Sequence, residues 1–231
     1  MKFRSSLFAS LLAIPLFLAT NSAYAAAVTG EANIAGNVTV TASSINFAPT
    51  FVNTPGATES GSFSGLTGGT IQSLTGGPVT GGTNIGGFIH FTQGLASPVT
   101  FDLTYIAPGV GSLAACGSAA LGAECTPAGS PFTLLQLTSN TVIAALNMNG
   151  VSYTGSRDTG TSNTVGVFST QTAINGTIPG IVNVLQTGGA ISGVTYSASF
   201  VASPVPEPAS MLLMGLGLAG AGLIARRKAR A

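Results

Sequence analysis

Short stretches in which apolar and polar residues alternate with a period of two run through most of the chain. In Val99-Thr-Phe-Asp-Leu-Thr-Tyr105 the residues Val99, Phe101, Leu103 and Tyr105 fall on one side, and Thr100, Asp102 and Thr104 on the other. Successive side chains of a strand point to opposite faces, so this run reads as a half-buried strand with Asp102 on its solvated side. Comparable runs lie at Val38–Val40, Gly87–Thr92, Phe132–Leu137, Thr141–Leu146, Val151–Tyr153, Val165–Phe168 and Val194–Val201. Asn149-Gly150, Asn175-Gly176 and Pro108-Gly109 supply turn chemistry between them. One segment has helical spacing instead: Ile178, Ile181, Val182 and Leu185, with Thr177 as N-cap, Pro179 in the first turn and Gly188 beyond the end. Many short amphipathic strands bury their faces well when two sheets pack together. The pattern therefore predicts an all-β fold: a single β-sandwich, jelly-roll-like, over residues 26–202, with one short helix across one end.

Residues 61–94 are rich in glycine and contain an imperfect echo, Leu66-Thr-Gly-Gly69, Leu74-Thr-Gly-Gly77 and Val79-Thr-Gly-Gly82. A calcium-binding β-roll would need aspartates within the repeats, and a phosphate-cradling loop would need a lysine after the glycines. Neither is present, so the segment reads as loops and turns between short strands.

Charge changes the picture more than any motif does. Only 6% of the 231 residues are charged, Lys+Arg 7 against Asp+Glu 6, with a single histidine and no tryptophan. An ordinary soluble domain is charged at about a quarter of its positions. Lys2, Arg4, Glu207, Arg226, Arg227, Lys228 and Arg230 lie at the two ends. Between them stand Glu31, Glu59, Asp102, Glu124, Arg157 and Asp158, five acids and one base, with no lysine. A surface without basic residues cannot neutralise phosphates, which excludes nucleic acid as a partner. It also argues against a helix-rich cytosolic enzyme, whose exposed faces are filled with Lys and Glu.

The ends themselves read as addresses. Lys2 and Arg4 precede the apolar stretch Leu7–Ala19, and Ala23-Tyr24-Ala25 places small residues for cleavage after Ala25, the pattern of a secretory signal peptide over residues 1–25. An uncleaved anchor is the competing reading, but thirteen residues interrupted by Pro15 fall short of the roughly 30 Å hydrocarbon core. At the other end, Val205-Pro206-Glu207-Pro208 is followed by seventeen uncharged residues, 209–225, and then by Arg226, Arg227, Lys228 and Arg230. Such a stretch makes a transmembrane helix of roughly 26 Å, with the basic cluster stopping transfer on the cytoplasmic side.

This arrangement over residues 205–231 resembles the PEP-CTERM sorting signal of Gram-negative bacteria. The resemblance implies that Val205, Pro206, Glu207 and Pro208 form a motif recognised by an exosortase, a membrane-embedded cysteine transpeptidase. The precursor would then be tethered transiently in the inner membrane over a sorting region of residues 203–231. It also implies a cell-surface or extracellular destination. Gly61-Ser-Phe-Ser-Gly-Leu66, Phe101-Asp-Leu-Thr104, Gly129-Ser-Pro-Phe-Thr133 and Val194-Thr-Tyr-Ser-Ala-Ser-Phe200 are similar to stretches of a recurring ectodomain of such proteins, which has no activity to carry over. A plain single-pass anchor is the other reading of the tail.

Candidate chemistry in the middle is sparse. Cys116 and Cys125 are the only cysteines, and an even pair in an exported chain reads as a disulfide. Two thiols and one distant histidine do not make a metal site, and no cofactor motif is present. Asp158-Thr159-Gly160 matches one aspartic-protease triplet where two are needed, and follows Arg157, which reads as a turn with a local Arg157–Asp158 contact. His90 alternates with Ile89 and Phe91 and lacks a Gly-x-Ser-x-Gly elbow to serve. The expectation is therefore a non-enzymatic surface or matrix protein associated with exopolysaccharide or biofilm. A binding module for neutral glycans using Tyr105 or Tyr153 is the alternative, and a weak hydrolase on Asp102 or Asp158 stands behind it. The hydroxyls of 28 Thr and 24 Ser take the place of the missing charges on strand faces.

Overall fold

The computed structural model describes residues 27–54, 56–75, 84–128, 130–157, 160–170, 174–205 and 215–218. Its strands are β1 (Gly30–Val40), β2 (Ser44–Phe47), β3 (Thr50–Asn53), β4 (Gly68–Ile71), β5 (Leu74–Thr75), β6 (Ile85–Gln93) and β7 (Val99–Ile106). They continue as β8 (Glu124–Cys125), β9 (Thr133–Thr138), β10 (Thr141–Thr154), β11 (Ser162–Thr170), β12 (Ile174–Asn175) and β13 (Ile191–Pro204), with one α-helix, α1 (Ile178–Gln186), before the last. The fold is all-β, as the alternation predicts, and α1 forms as its spacing and caps predict. The Thr177 side chain accepts from the Gly180 N–H, and Ile178, Ile181, Val182 and Leu185 are buried.

The expected sandwich of two separate sheets is replaced by one sheet that closes on itself. The order is β11-β13-β1-β3-β4-β6-β7-β10, and β10 pairs with β11 to complete a ring of eight antiparallel strands. The difference arises in β10. Asn149-Gly150 has the composition of a turn, yet the strand runs through it for 14 residues and reaches β7, β9, β11 and β12. Gly150 points inward, where a Cβ would press on the Phe101 ring and the Asp102 carbonyl. Cross-strand packing therefore outweighs local turn preference. The same device recurs at Gly36 opposite Tyr196 and Gly166 opposite Phe200, each leaving room for a ring inside the barrel.

An eight-stranded ring is just wide enough for side chains to fill. Here aromatic rings fill it, meeting mostly edge to face. Phe91 touches Phe51, Phe63 and Phe200, and Phe101 lies 5.4 Å from Phe200 and 6.3 Å from Phe88. Phe47 extends the series to Phe88, Phe168 and Tyr196. Many outward positions carry Thr, Ser and Asn, with exposed valines at Val52, Val165, Val167 and Val201 and few charges among them.

Strand directions give the barrel two dissimilar rims. Gly30, Gln93, Val99, Thr154, Ser162 and Pro204 lie together at the first rim, as the registers Gly30 with Ala202, Gly68 with Gln93, Thr154 with Val99 and Ser162 with Pro204 require. The opposite rim holds α1, the short 3-10 turn Leu113–Gly117 and the Cys116–Cys125 disulfide, whose Cα atoms are 5.0 Å apart. Buried Gln136 ties that rim together. Its Nε2 donates to the Thr138 carbonyl at 2.6 Å, and its Oε1 accepts from the Ile178 N–H at 2.8 Å at the start of α1.

Tyr196 is fully buried, and its hydroxyl has no hydrogen-bond partner among the described residues. Burial pushes its pKa well above the usual tyrosine range. The unfolded chain therefore releases this proton first. Stability does not depend on it below about pH 10 and falls as pH rises beyond, by up to about 1.4 kcal/mol per pH unit. Tyr196→Phe is expected to flatten that alkaline decline and to leave stability at pH 7 equal or higher, because it deletes an unpaired polar atom. Urea midpoints at pH 7 and pH 11 check this. A loss above about 1 kcal/mol at pH 7 would show that the hydroxyl is satisfied after all.

Candidate functional site

The sequence directs attention to the tail, the cysteine pair, the acids, His90 and the tyrosines. Of the tail, Val205 is exposed just past the end of β13. Pro206, Glu207, Pro208, Arg226, Arg227, Lys228 and Arg230 lie outside the described residues, as do Ala23 and Ala25 of the signal-cleavage site. Within 209–225 the described residues 215–218 are helical, with Leu216 and Leu218 exposed. No described helix is long and apolar enough to cross a membrane.

The most organised polar cluster of the barrel surrounds Asp102. Alternation places this residue on the outer face of β7, and so predicts a solvated carboxylate; in fact it is only 2% exposed. The reason lies in β6. Ile85 pairs with Leu103 and Ile89 with Phe101, so Gly86, Gly87 and Phe88 bulge opposite Asp102. Gly87 adopts a φ of +61°, open to glycine at little cost, and turns its N–H onto Asp102 Oδ1 at 2.6 Å. Tyr153, on the neighbouring β10, donates its hydroxyl to the same oxygen at 3.2 Å. Arg157, just beyond β10, sets its guanidinium 3.4 Å from Oδ2. Burial, with the Asp102 charge and the hydrogen bond to it, raises the Tyr153 pKa, and Arg157 opposes that shift. Gln72 secures the bulge from β4's side by donating to the Gly86 and Gly87 carbonyls at 3.2 and 2.7 Å.

This arrangement joins β6, β7, β10 and the segment after β10 through one carboxylate. Both of its oxygens are engaged, and among the described residues no second carboxylate is in its contacts. The expected Arg157–Asp158 contact involves a residue outside the described set, and Arg157 reaches Asp102 instead. His90 is half-buried, with Nδ1 3.3 Å from the Thr100 hydroxyl and its Nε2 edge over Gly87. It therefore stands beside the bulge and does not face Asp102 as a catalytic pair would. Tyr105 also departs from its expected side. The pairing shifts between Asn149 and Gly150, so Tyr105 turns outward opposite exposed Asn149 while Ile106 is buried.

The remaining acids are dispersed. Glu31 accepts from Ser199 at 3.0 Å, and Glu59 accepts from Asn53 at 3.3 Å. Glu124 is exposed beside the disulfide, on a shallow hollow of about 130 Å³ that Pro108, Val110, Pro131 and Thr133 also line. Among the described residues no group of three or more His, Cys, Asp or Glu is placed to hold a metal ion.

Asp102→Ala is expected to cost about 2 kcal/mol, because it strands the Gly87 N–H and the Tyr153 hydroxyl. Arg157→Ala is expected to cost about 1 kcal/mol or less, since that guanidinium is 46% exposed and the pair is screened. Urea denaturation of the two variants checks the ranking, and equal losses would contradict the clamp geometry.

Comparison with known families finds one match: residues 204–228 fit the PEP-CTERM protein-sorting motif. Neither the characterised proteins nor the solved structures compared give a match. The matched segment begins on the last residue of β13, so the barrel leads directly into it. The motif implies a precursor that is secreted across a membrane and processed by an exosortase, and the chain is accordingly a PEP-CTERM domain-containing protein.

Proposed function

We propose that this chain is a non-enzymatic component of the bacterial surface or extracellular matrix, associated with exopolysaccharide or biofilm. The observation that carries the reading is the sorting motif at 204–228 joined without a linker to a nearly uncharged barrel. In this reading residues 1–25 are removed as a signal peptide, and residues 209–225 hold the precursor in the inner membrane. The Arg-rich end remains cytoplasmic until the exosortase cuts near Pro206-Glu207-Pro208. A body whose acids are spread singly over its surface or spent in a clamp is suited to binding and scaffolding. Its Ser, Thr and Asn faces offer hydrogen bonds to neutral, hydrated polymers.

A second reading, a binding module for neutral glycans, is favoured by Tyr105. This side chain faces outward from β7 opposite exposed Asn149, an aromatic face beside an amide. Tyr153 is the weaker candidate, because its hydroxyl is committed to Asp102.

Intact-mass measurement of the secreted protein is expected to show a chain that starts at Ala26 and ends near Pro208. In cells lacking the exosortase, the protein should keep its tail and stay in the membrane fraction. A secreted form that retains residues 209–231 would overturn the processing scheme. Deletion of the gene should weaken biofilm cohesion. Saturable binding to the host's neutral exopolysaccharide, reduced at least tenfold by Tyr105→Ala, would favour the glycan-binding reading.

A further inference from the structure

The two rims of the barrel differ in what enters and leaves them. β13 delivers the sorting segment at the first rim, and its pairing there is firm: Ala202 is bonded to Gly30 of β1 and Thr164 of β11, and Pro204 still faces Ser162. The apolar stretch begins at Ala209, five Cα steps beyond Pro204. Each step spans at most about 3.6 Å, so the connection reaches about 18 Å at full extension. The headgroup layer on one side of a bilayer takes up about 5–8 Å of that. About 10–13 Å is left, roughly the width of one helix.

We propose that the first rim of the barrel rests on the phospholipid surface of the membrane while the tail is attached, with the disulfide and α1 pointing away. The contact surface is formed by Gly56–Thr67, Gly94–Pro98 and Gly155–Arg157. The proposal rests on the reading of residues 209–225 as a membrane span. Three features of the rim support it. The chain's other end emerges at the same place, since Gly30 pairs with Ala202, so both export signals meet one membrane from one side of the barrel. The connection Gly94-Leu95-Ala96-Ser97-Pro98 carries no charge, and Ala96, Ser97 and Pro98 are exposed. Arg157, the only Lys or Arg between Arg4 and Arg226, sits at this rim with 46% of its side chain exposed, within reach of lipid phosphates. Glu124 stands exposed at the opposite rim, while Glu59 lies within the contact surface and accepts from Asn53, and Glu31 lies next to it and accepts from Ser199.

The chain contains no tryptophan, so a single introduced one reports without background. Tail-bearing protein isolated from exosortase-deficient cells is reconstituted into phosphatidylcholine–phosphatidylglycerol vesicles that contain acyl-brominated lipid. Flotation is measured first and tryptophan quenching second. Ala96→Trp, with Ser97→Trp as a second reporter at the same rim, is expected to be quenched at least threefold more than Val184→Trp on the exposed face of α1. Inserting twelve Gly/Ser residues after Val205 should bring the Ala96→Trp signal down to the Val184→Trp level while flotation is kept. Protein that floats but shows equal quenching at both rims overturns the proposal and leaves the membrane span standing. Protein that does not float overturns the span itself, and the rim contact with it.

Discussion

The pairing of Ala145–Ser152 on β10 with Ser162–Ser169 on β11 removes the two free edges that an eight-stranded sheet would otherwise expose. An unpaired edge is a template for aggregation, and soluble proteins usually guard it with lysines or other charges. The middle of this chain contains no lysine and a single arginine. Closing the ring meets the same need through hydrogen bonds alone. The ring also fixes the width of the interior, and the inward glycines Gly36, Gly150 and Gly166 then set where Phe and Tyr rings fit.

Closure leaves places where the ladder is irregular, and buried polar side chains work at those places. Asp102 completes the bulged stretch of β6 by accepting the Gly87 N–H, and Gln136 serves the carbonyl of Thr138 and the first N–H of α1. Each acts where backbone groups would otherwise be left without partners, which costs more than any single bond contributes. The burial of Asp102 and Gln136 is thus explained by backbone geometry.

The strands were largely legible because each one buries a single face, which writes a period of two into the chain. β13 alternates along almost its full length, and α1 is marked by Thr177, Pro179 and four apolar positions, whereas β11 turns Val165 and Val167 outward and buries Ser162 and Thr164. The cysteine pair and the sorting tail were equally readable, since both depend on local spacing. Ring closure was not legible, because two packed sheets and one closed sheet ask for the same alternation. Only the continuation of β10 through Asn149-Gly150 separates them. The Asp102 cluster was hidden for a similar reason. Its partners Gly87 and Tyr153 are 15 and 51 positions away in sequence, and the bulge that brings Gly87 in is marked only by two adjacent glycines in a strand. Tyr105 falls on the face opposite to the one its alternation predicts, because a one-residue register shift moves every later side chain to the other face.

The Arg157–Asp102 pair has a consequence for survival outside the cell. Proteases that cut after basic residues find one such position between Arg4 and Arg226, and in the folded protein its guanidinium is held against a buried carboxylate. Between its two ends the chain therefore offers trypsin-like enzymes a single cleavage position, in the exposed connection after β10, where the pair with Asp102 restrains the side chain.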